Sequence, residues 1–378
     1  MAIPQASLLR QAHVLLDNIK LLKQLEESPR TLSSEEQKKL AQCPTWGALA
    51  LYIFPDPMTN SYRSNSWQSI GEQLQGVLSV DEYNSARKST FSAFCTSPIV
   101  IQALYTALTH LGMPRNALIL EPGSGIGNFM ALAHDAMRFI GIEQDHISAR
   151  IAQTLYQQHD IRLEPFEQTV LAYNTIDAVI GNPPFADVKL PYWDTSLSLH
   201  EFFIAKSLDI LKPGGILAMV VTHYLMDRQQ SHFRQPLAAR ADFLGAIRLP
   251  STAFAEQGTR IVSDLLFLAK RFPGKLPAHR GEWLNTWPLS IEGVEVPING
   301  YFQQNPEMVL GTWTRQDRLY GGESGYSVTS NGNLEAQLAT AIAHLPAGIF
   351  CAAPSLPVHI TTNGTAPHAP ALPLRFTE

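Results

Sequence analysis

Between Asn116 and Arg271 the chain repeats one texture: a short apolar run, a turn rich in special residues, then a stretch with helical spacing. "NALILEPGSGIGNFMALA" is an apolar strand, a glycine-rich turn and a helix start. "RFIGIEQD" is a strand ending in acids, "ISARIAQTLYQQH" is helical, and "IDAVIGNPPF" is a third strand. "HEFFIAKSLDILKPGG" reads as a helix closed by Pro-Gly-Gly, followed by the strand "ILAMVVTH". "FLGAIRLP" and "VSDLLFLAKR" are two further strands. Strands that alternate with helices cannot all pair as neighbouring hairpins, so they predict an α/β fold with a doubly wound, mostly parallel sheet.

Elements flank this block. Leu8, Leu9, Val14, Leu15, Ile19 and Leu22 recur near the helical period. "TLSSEEQKKLA" offers Ser33 or Ser34 as a helix cap with acids in the first turn. Residues 44–80 hold Pro, Gly, Asn, Ser and several aromatics, which predicts short pieces and loops. "SVDEYNSARKSTFSAF" predicts a helix capped near Ser79 or Asp81. Residues 281–378 contain one clear helical pattern, "LEAQLATAIAHL", and end in a Pro- and Thr-rich stretch that reads as a tail. The expected division is a helical region over 1–88, a main domain over 89–275, an extension over 276–350 and a flexible tail over 351–378.

Composition excludes some classes. No apolar run reaches the roughly 20 residues of a membrane helix, and the N-terminus lacks a signal-peptide pattern. Cys43, Cys95 and Cys351 are too dispersed for a disulfide framework or a zinc site, so a cytoplasmic location is expected. A net charge of −5 and a pI near 6.2 exclude a globally basic nucleic-acid binder. From Arg228 to Arg280, however, nine Lys and Arg face only Asp242, Glu256 and Asp264, a local balance of +6 that predicts a phosphate-binding surface.

Ligands of open parallel sheets bind beyond the carboxyl ends of the strands, and three such turns here carry chemistry. In "EPGSGIGNF", Gly123, Gly125 and Gly127 allow close backbone approach to a ligand. The absence of Lys-Ser/Thr disfavours a P-loop, and Glu121 would repel a pyrophosphate. A carboxylate there suits a cationic ligand such as S-adenosylmethionine. Glu143, sixteen residues past Gly127, is placed to accept hydrogen bonds from both ribose hydroxyls, as it would equally for NAD. In "NPPF", Pro183 and Pro184 stiffen the loop and withhold two donors. Asn182 adds an acceptor oxygen, and Phe185 adds a flat face for a base. Such a loop fits a planar amine.

Together these residues resemble the amino-methyltransferases, most closely the N6-adenine DNA methyltransferases, with the cofactor turn before "NPPF" and a recognition region after it. The resemblance implies a Rossmann-like class I methyltransferase fold, S-adenosylmethionine as cofactor, and no metal. "FCTSPIV" resembles the family's N-terminal cofactor segment, which would put Thr96 at the methionine end, although Ser97 is inserted between Thr and Pro. Phe166 falls where the family packs an aromatic on the cofactor's adenine. Phe254 would form the second wall of a flipped-base pocket opposite Phe185. Residues 31–346 also resemble the methylase part of large methylase–helicase proteins of phages, plasmids and integrative elements. That implies a mobile-element, restriction–modification or antirestriction setting and DNA as partner. The chain is then a stand-alone version or a fragment, and a helicase is either fused to it or separate. A methyltransferase acting on RNA or protein glutamine, and a non-catalytic DNA-binding module, are the rival readings.

Overall fold

The computed structural model describes residues 5–44, 46–89, 96–185, 188–230, 232–255, 260–277, 281–316 and 325–352. Cys95, Glu256 and Arg280, and the expected tail from residue 353, lie outside the described residues.

The N-terminal layer comprises α1 (Gln5–Glu27), α2 (Ser34–Ala41), α3 (Ala50–Ile53), α4 (Asn65–Val77) and α5 (Val80–Ser89). The expected caps are present. Ser33 accepts from the Glu36 amide while the Glu36 side chain accepts from the Ser33 amide. Ser79 and Glu82 form the same reciprocal pair at the start of α5. Helix α4 lies where loops were expected. Trp67, Ile70 and Leu74 make a buried stripe there, and their burial outweighs the poor propensity of the intervening Ser, Gly and Asn. Gly71 is required in that helix, because a Cβ would lie 2.4 Å from the Tyr62 ring. Leu15, Ile19, Leu22, Trp46 and Trp67 share one core with Ile126, Ile147 and Ile151 of the following domain.

The domain opens with α6 (Pro98–His110), in which the inserted Ser97 takes the N-cap position and Pro98 the first helical position. There follow β1 (Leu118–Pro122), α7 (Asn128–Ala131), β2 (Arg138–Glu143), α8 (His146–Leu155), β3 (Asp160–Leu163) and β4 (Ile176–Gly181). A hairpin, β5 (Lys189–Tyr192) and β6 (Thr195–Ser198), precedes α9 (Leu199–Ile210) and β7 (Leu211–Thr222). Then come α10 (His223–Asp227), α11 (Arg234–Arg240), β8 (Ala241–Arg248) and β9 (Ser263–Lys270).

Seven strands form one sheet in the order β3-β2-β1-β4-β7-β9-β8. Neighbours from β3 to β7 pair in parallel, and β9 runs antiparallel to both β7 and β8. Strand order reverses between β1 and β4, which places the ligand crevice beyond Pro122 and Gly181. Pro213-Gly214-Gly215, expected from sequence to close the helix, does not do so. The helix ends at Ile210, and the triplet lies inside β7, where the pairing with β4 shifts register between Ile176 and Ala178. A Cβ on Gly215 would sit 2.7 Å from the Asp177 carbonyl, so close strand approach explains the glycine.

The C-terminal extension contains more than its one expected helix. It holds the hairpin β10 (Thr286–Ile291) and β11 (Val294–Asn299), α12 (Gly300–Gln304), the pair β12 (Thr312–Thr314) and β13 (Ser327–Thr329), and α13 (Leu334–Ala343). Trp283, Phe302, Val328 and Ile342 join the core of the sheet. No helix among the described residues is long and apolar enough to cross a membrane.

Candidate functional site

A cavity of about 300 Å³ opens at the reversal point between β1 and β4. Thr96, Glu121, Gly123, Gly125, Glu143, Phe166, Asn182 and Pro184 all contribute to its wall. These residues come from five separate stretches of sequence.

The glycine turn is built as its residues require. Gly123, Gly125 and Gly127 have φ of 75°, 55° and 85°, in the left-handed region that L side chains rarely adopt. The Gly123 and Ser124 amides donate to the Ile142 carbonyl at 2.8 and 3.0 Å, which lashes the turn to the end of β2. Nothing lies within 4 Å of the Cβ position of Gly125, so backbone there faces open space.

Two acids stand at the ends of β1 and β2. Glu121 is 2% exposed, and its Oε2 has no hydrogen-bond partner among the described residues. Burial, reinforced by the neighbouring Glu143, pushes its pKa well above the usual carboxylate value. Glu143 accepts from the Gly125 amide at 2.8 Å and the Asp145 amide at 2.7 Å. Burial and the Asp145 charge nonetheless push its pKa up to about 7. A buried acid whose ionisation is held back this way gains most from a cationic ligand, which restores the charged form.

Asn182 closes β4. Its side-chain oxygen is buried and unpartnered, so the residue offers an acceptor that nothing in the described fold satisfies. Pro183 is buried behind it. Phe185 is half-buried, packs on His200 with ring centroids 5.1 Å apart, and does not line this cavity. Phe254 is 3% exposed within the main core. Among the described residues no direct ring contact joins it to Phe185.

Phe166 is held more firmly than its sequence suggests. Lys206 of α9 donates to the Phe166, Glu167 and Thr169 carbonyls at 2.5, 3.2 and 2.8 Å, with its ammonium 5.0 Å from the centre of the Phe166 ring. Asp145, also missed in sequence, is 2% exposed. It caps α8 through the Ser148 amide at 2.8 Å and accepts from the Trp46 indole at 3.0 Å. Its place before "HIS" at a helix start was the available signal. The Trp46 bond, across 99 residues, left no local trace.

The expected phosphate-binding stretch divides between interior and surface. Arg234 is 2% exposed and donates to the Leu225, Arg228 and Leu284 carbonyls. Arg248 is fully buried between Asp264 and Asp227. Arg271 is tied to Asp242 and to three carbonyls. These three arginines satisfy internal acceptors, whereas Arg228, Arg240, Arg260 and Lys275 of the same stretch are exposed.

The sheet order, with one antiparallel strand near its edge and a crevice at the β1/β4 reversal point, is that of the Rossmann-like class I methyltransferase fold. More particularly, residues 99–237 match the family model described as methyltransferase small domain. Among curated proteins, the chain is similar to "Defense against restriction protein B" of Escherichia phage P1, with 28% identity over 207 residues. That match spans 52% of this chain and 9% of the phage protein. Among solved structures it is similar to a type I restriction-modification methyltransferase subunit from Streptococcus thermophilus (14% identity, 87% of this chain, 72% of that one, TM-score 0.44). It is also similar to a putative class I S-adenosylmethionine-dependent methyltransferase from Listeria monocytogenes (15% identity, 72% and 91%, TM-score 0.42).

Proposed function

We propose that the chain transfers a methyl group to the N6 amine of adenine in DNA. The observation that carries this reading is the unpartnered oxygen of Asn182, presented from a proline-stiffened loop at the cavity wall. An acceptor without a partner costs stability, and such costs concentrate where a ligand repays them.

The cavity fits the cofactor, because the orphaned Glu121 oxygen and the high pKa of Glu143 both favour a cation. Glu121 and the Gly123–Gly127 turn would hold its methionine part, with Thr96 beside them. Glu143 would take the ribose, and Phe166, fixed by Lys206, the adenine ring. S-adenosylmethionine supplies an electrophilic methyl on a sulfonium. The chain's own work is orientation. The Asn182 side-chain oxygen and the Pro183 carbonyl would accept the two N6 hydrogens, withdraw the lone pair from ring conjugation and aim it into the cavity. Phe185 would stack on the target base after it leaves the duplex, with Phe254 as the second wall. The proton lost from nitrogen goes to water.

DNA rather than RNA or protein glutamine is favoured by the phage relative, named for defence against restriction, and by the "NPPF" resemblance. The exposed members of the basic stretch, Arg228, Arg240, Arg260 and Lys275, add cationic surface in its favour. A helicase, fused or separate, belongs to the same proposal through the resemblance to methylase–helicase proteins. The test is labelled-methyl transfer to DNA, RNA and a glutamine peptide in parallel, with the product nucleoside identified by mass. N6-methyladenine in DNA is expected, lost in Asn182→Ala. Label confined to RNA or peptide would sink the reading.

A further inference from the structure

The cofactor cavity has an unbalanced wall. Glu121, Glu143, Asp145, Glu164 and Glu167 line it, and among the described residues Lys88 is its sole Lys or Arg. The ligand has the opposite balance: an ammonium and a sulfonium, with a single carboxylate. The acids suit the two cations, but they repel the carboxylate, which needs one positive partner to enter at all.

We propose that Lys88 is that partner and binds the α-carboxylate of S-adenosylmethionine. Lys88 makes no hydrogen bond or ion pair with any described residue, so its ammonium is available. It sits in the last turn of α5, three residues after Ser85 and therefore on the same helix face. Ser85 fixes that face over the end of β2. Its hydroxyl is 3.3 Å from the Gln144 carbonyl and 3.4 Å from Asp145 Oδ2, and it accepts from the His146 amide at 3.3 Å. The N-terminal helical layer thus supplies a charge that the Rossmann domain's own lining lacks. Lys88 is then a specificity residue that selects cofactors retaining the amino-acid carboxylate. The inference rests on the cofactor and is independent of the methyl acceptor.

The experiment is a binding titration of the full chain with two probes, S-adenosylhomocysteine and its decarboxylated form, which keeps the amine and lacks only the carboxylate. Lys88→Met should weaken S-adenosylhomocysteine by about fivefold or more, as for one charged pair at a partly open site. The decarboxylated probe should bind parent and variant within about twofold, and Lys88→Arg should recover most of the loss. Equal losses on both probes would mean a packing role, and no loss on either would mean no contact; each overturns the assignment. A parent chain that binds neither probe would overturn the cofactor itself, an outcome distinct from failure at Lys88.

Discussion

The Glu143 carboxylate accepts the Gly125 amide at 2.8 Å, so the acid at the end of β2 and the middle of the glycine turn form one unit. Removing the acid should therefore disturb both. Glu143→Ala should lower cofactor affinity about ten- to a hundredfold, the value of one charged hydrogen bond. Glu143→Gln, which keeps one acceptor oxygen for Gly125, should lose less. Calorimetric titration of the two variants checks the order.

The raised pKa of Glu143 sets a pH dependence. Below about pH 7 the free carboxyl is largely protonated, and a cationic ligand must expel that proton. Affinity should rise with pH from about 5.5 to 8, approaching tenfold per unit at the acid end. The free protein has the opposite trend. A carboxyl with a raised folded pKa contributes stability that is complete below the ordinary carboxylate value of 4.5 and fades as pH climbs to about 7. The rise in Tm on adding S-adenosylhomocysteine should then be larger at pH 8 than at pH 6. Binding heats that do not vary with buffer ionisation enthalpy near pH 7 would contradict proton release.

Asn182 should separate catalysis from stability. Asn182→Ala is expected to reduce single-turnover methylation of an adenine oligonucleotide by on the order of a hundredfold. Its Tm should hold or rise, because the oxygen removed has no partner in the fold. Phe185→Tyr should keep much activity, since any aromatic face can stack. Phe185→Ala should lose base capture, worth about 1–3 kcal/mol. A large drop in Tm for Asn182→Ala would make it a structural residue.

Arg248 and Asp264 form a bidentate pair at 2.8 Å in each arm, and both are 0% exposed. Asp227 and Tyr326 complete the cluster, and the Phe302 ring centre lies 4.1 Å from the guanidinium. Arg248→Ala would leave two buried carboxylates uncompensated and should cost about 3–5 kcal/mol. Urea denaturation reads that loss. The salt slope of DNA binding, measured on the folded fraction, should be unchanged. A reduced slope with intact stability would restore the arginine to the phosphate surface.

The legible part of this protein lies in the turns. Glu121, the three glycines, Glu143 and Asn182 to Phe185 each follow an apolar run, and parallel topology alone gathers the ends of such runs at one edge. The parallel sheet, its crevice and the turn residues gathered at the cavity therefore followed from local pattern, while Thr96 and Phe166 followed only from the resemblance and Phe185 lies off the cavity. What the sequence could not supply were partners. Whether an arginine faces water or an internal carboxylate depends on residues far along the chain: Asp264 lies 16 positions from Arg248 and Tyr326 lies 78. Part of a run of positive charge, Arg234, Arg248 and Arg271, thus read as a surface where folding paired it internally. Trp46 on Asp145 and Lys88 at the cavity were equally invisible, because only packing of the helical layer against α8 brings them there. Local chemistry is written along the chain, but the burial that decides what a charge is worth comes only from tertiary packing.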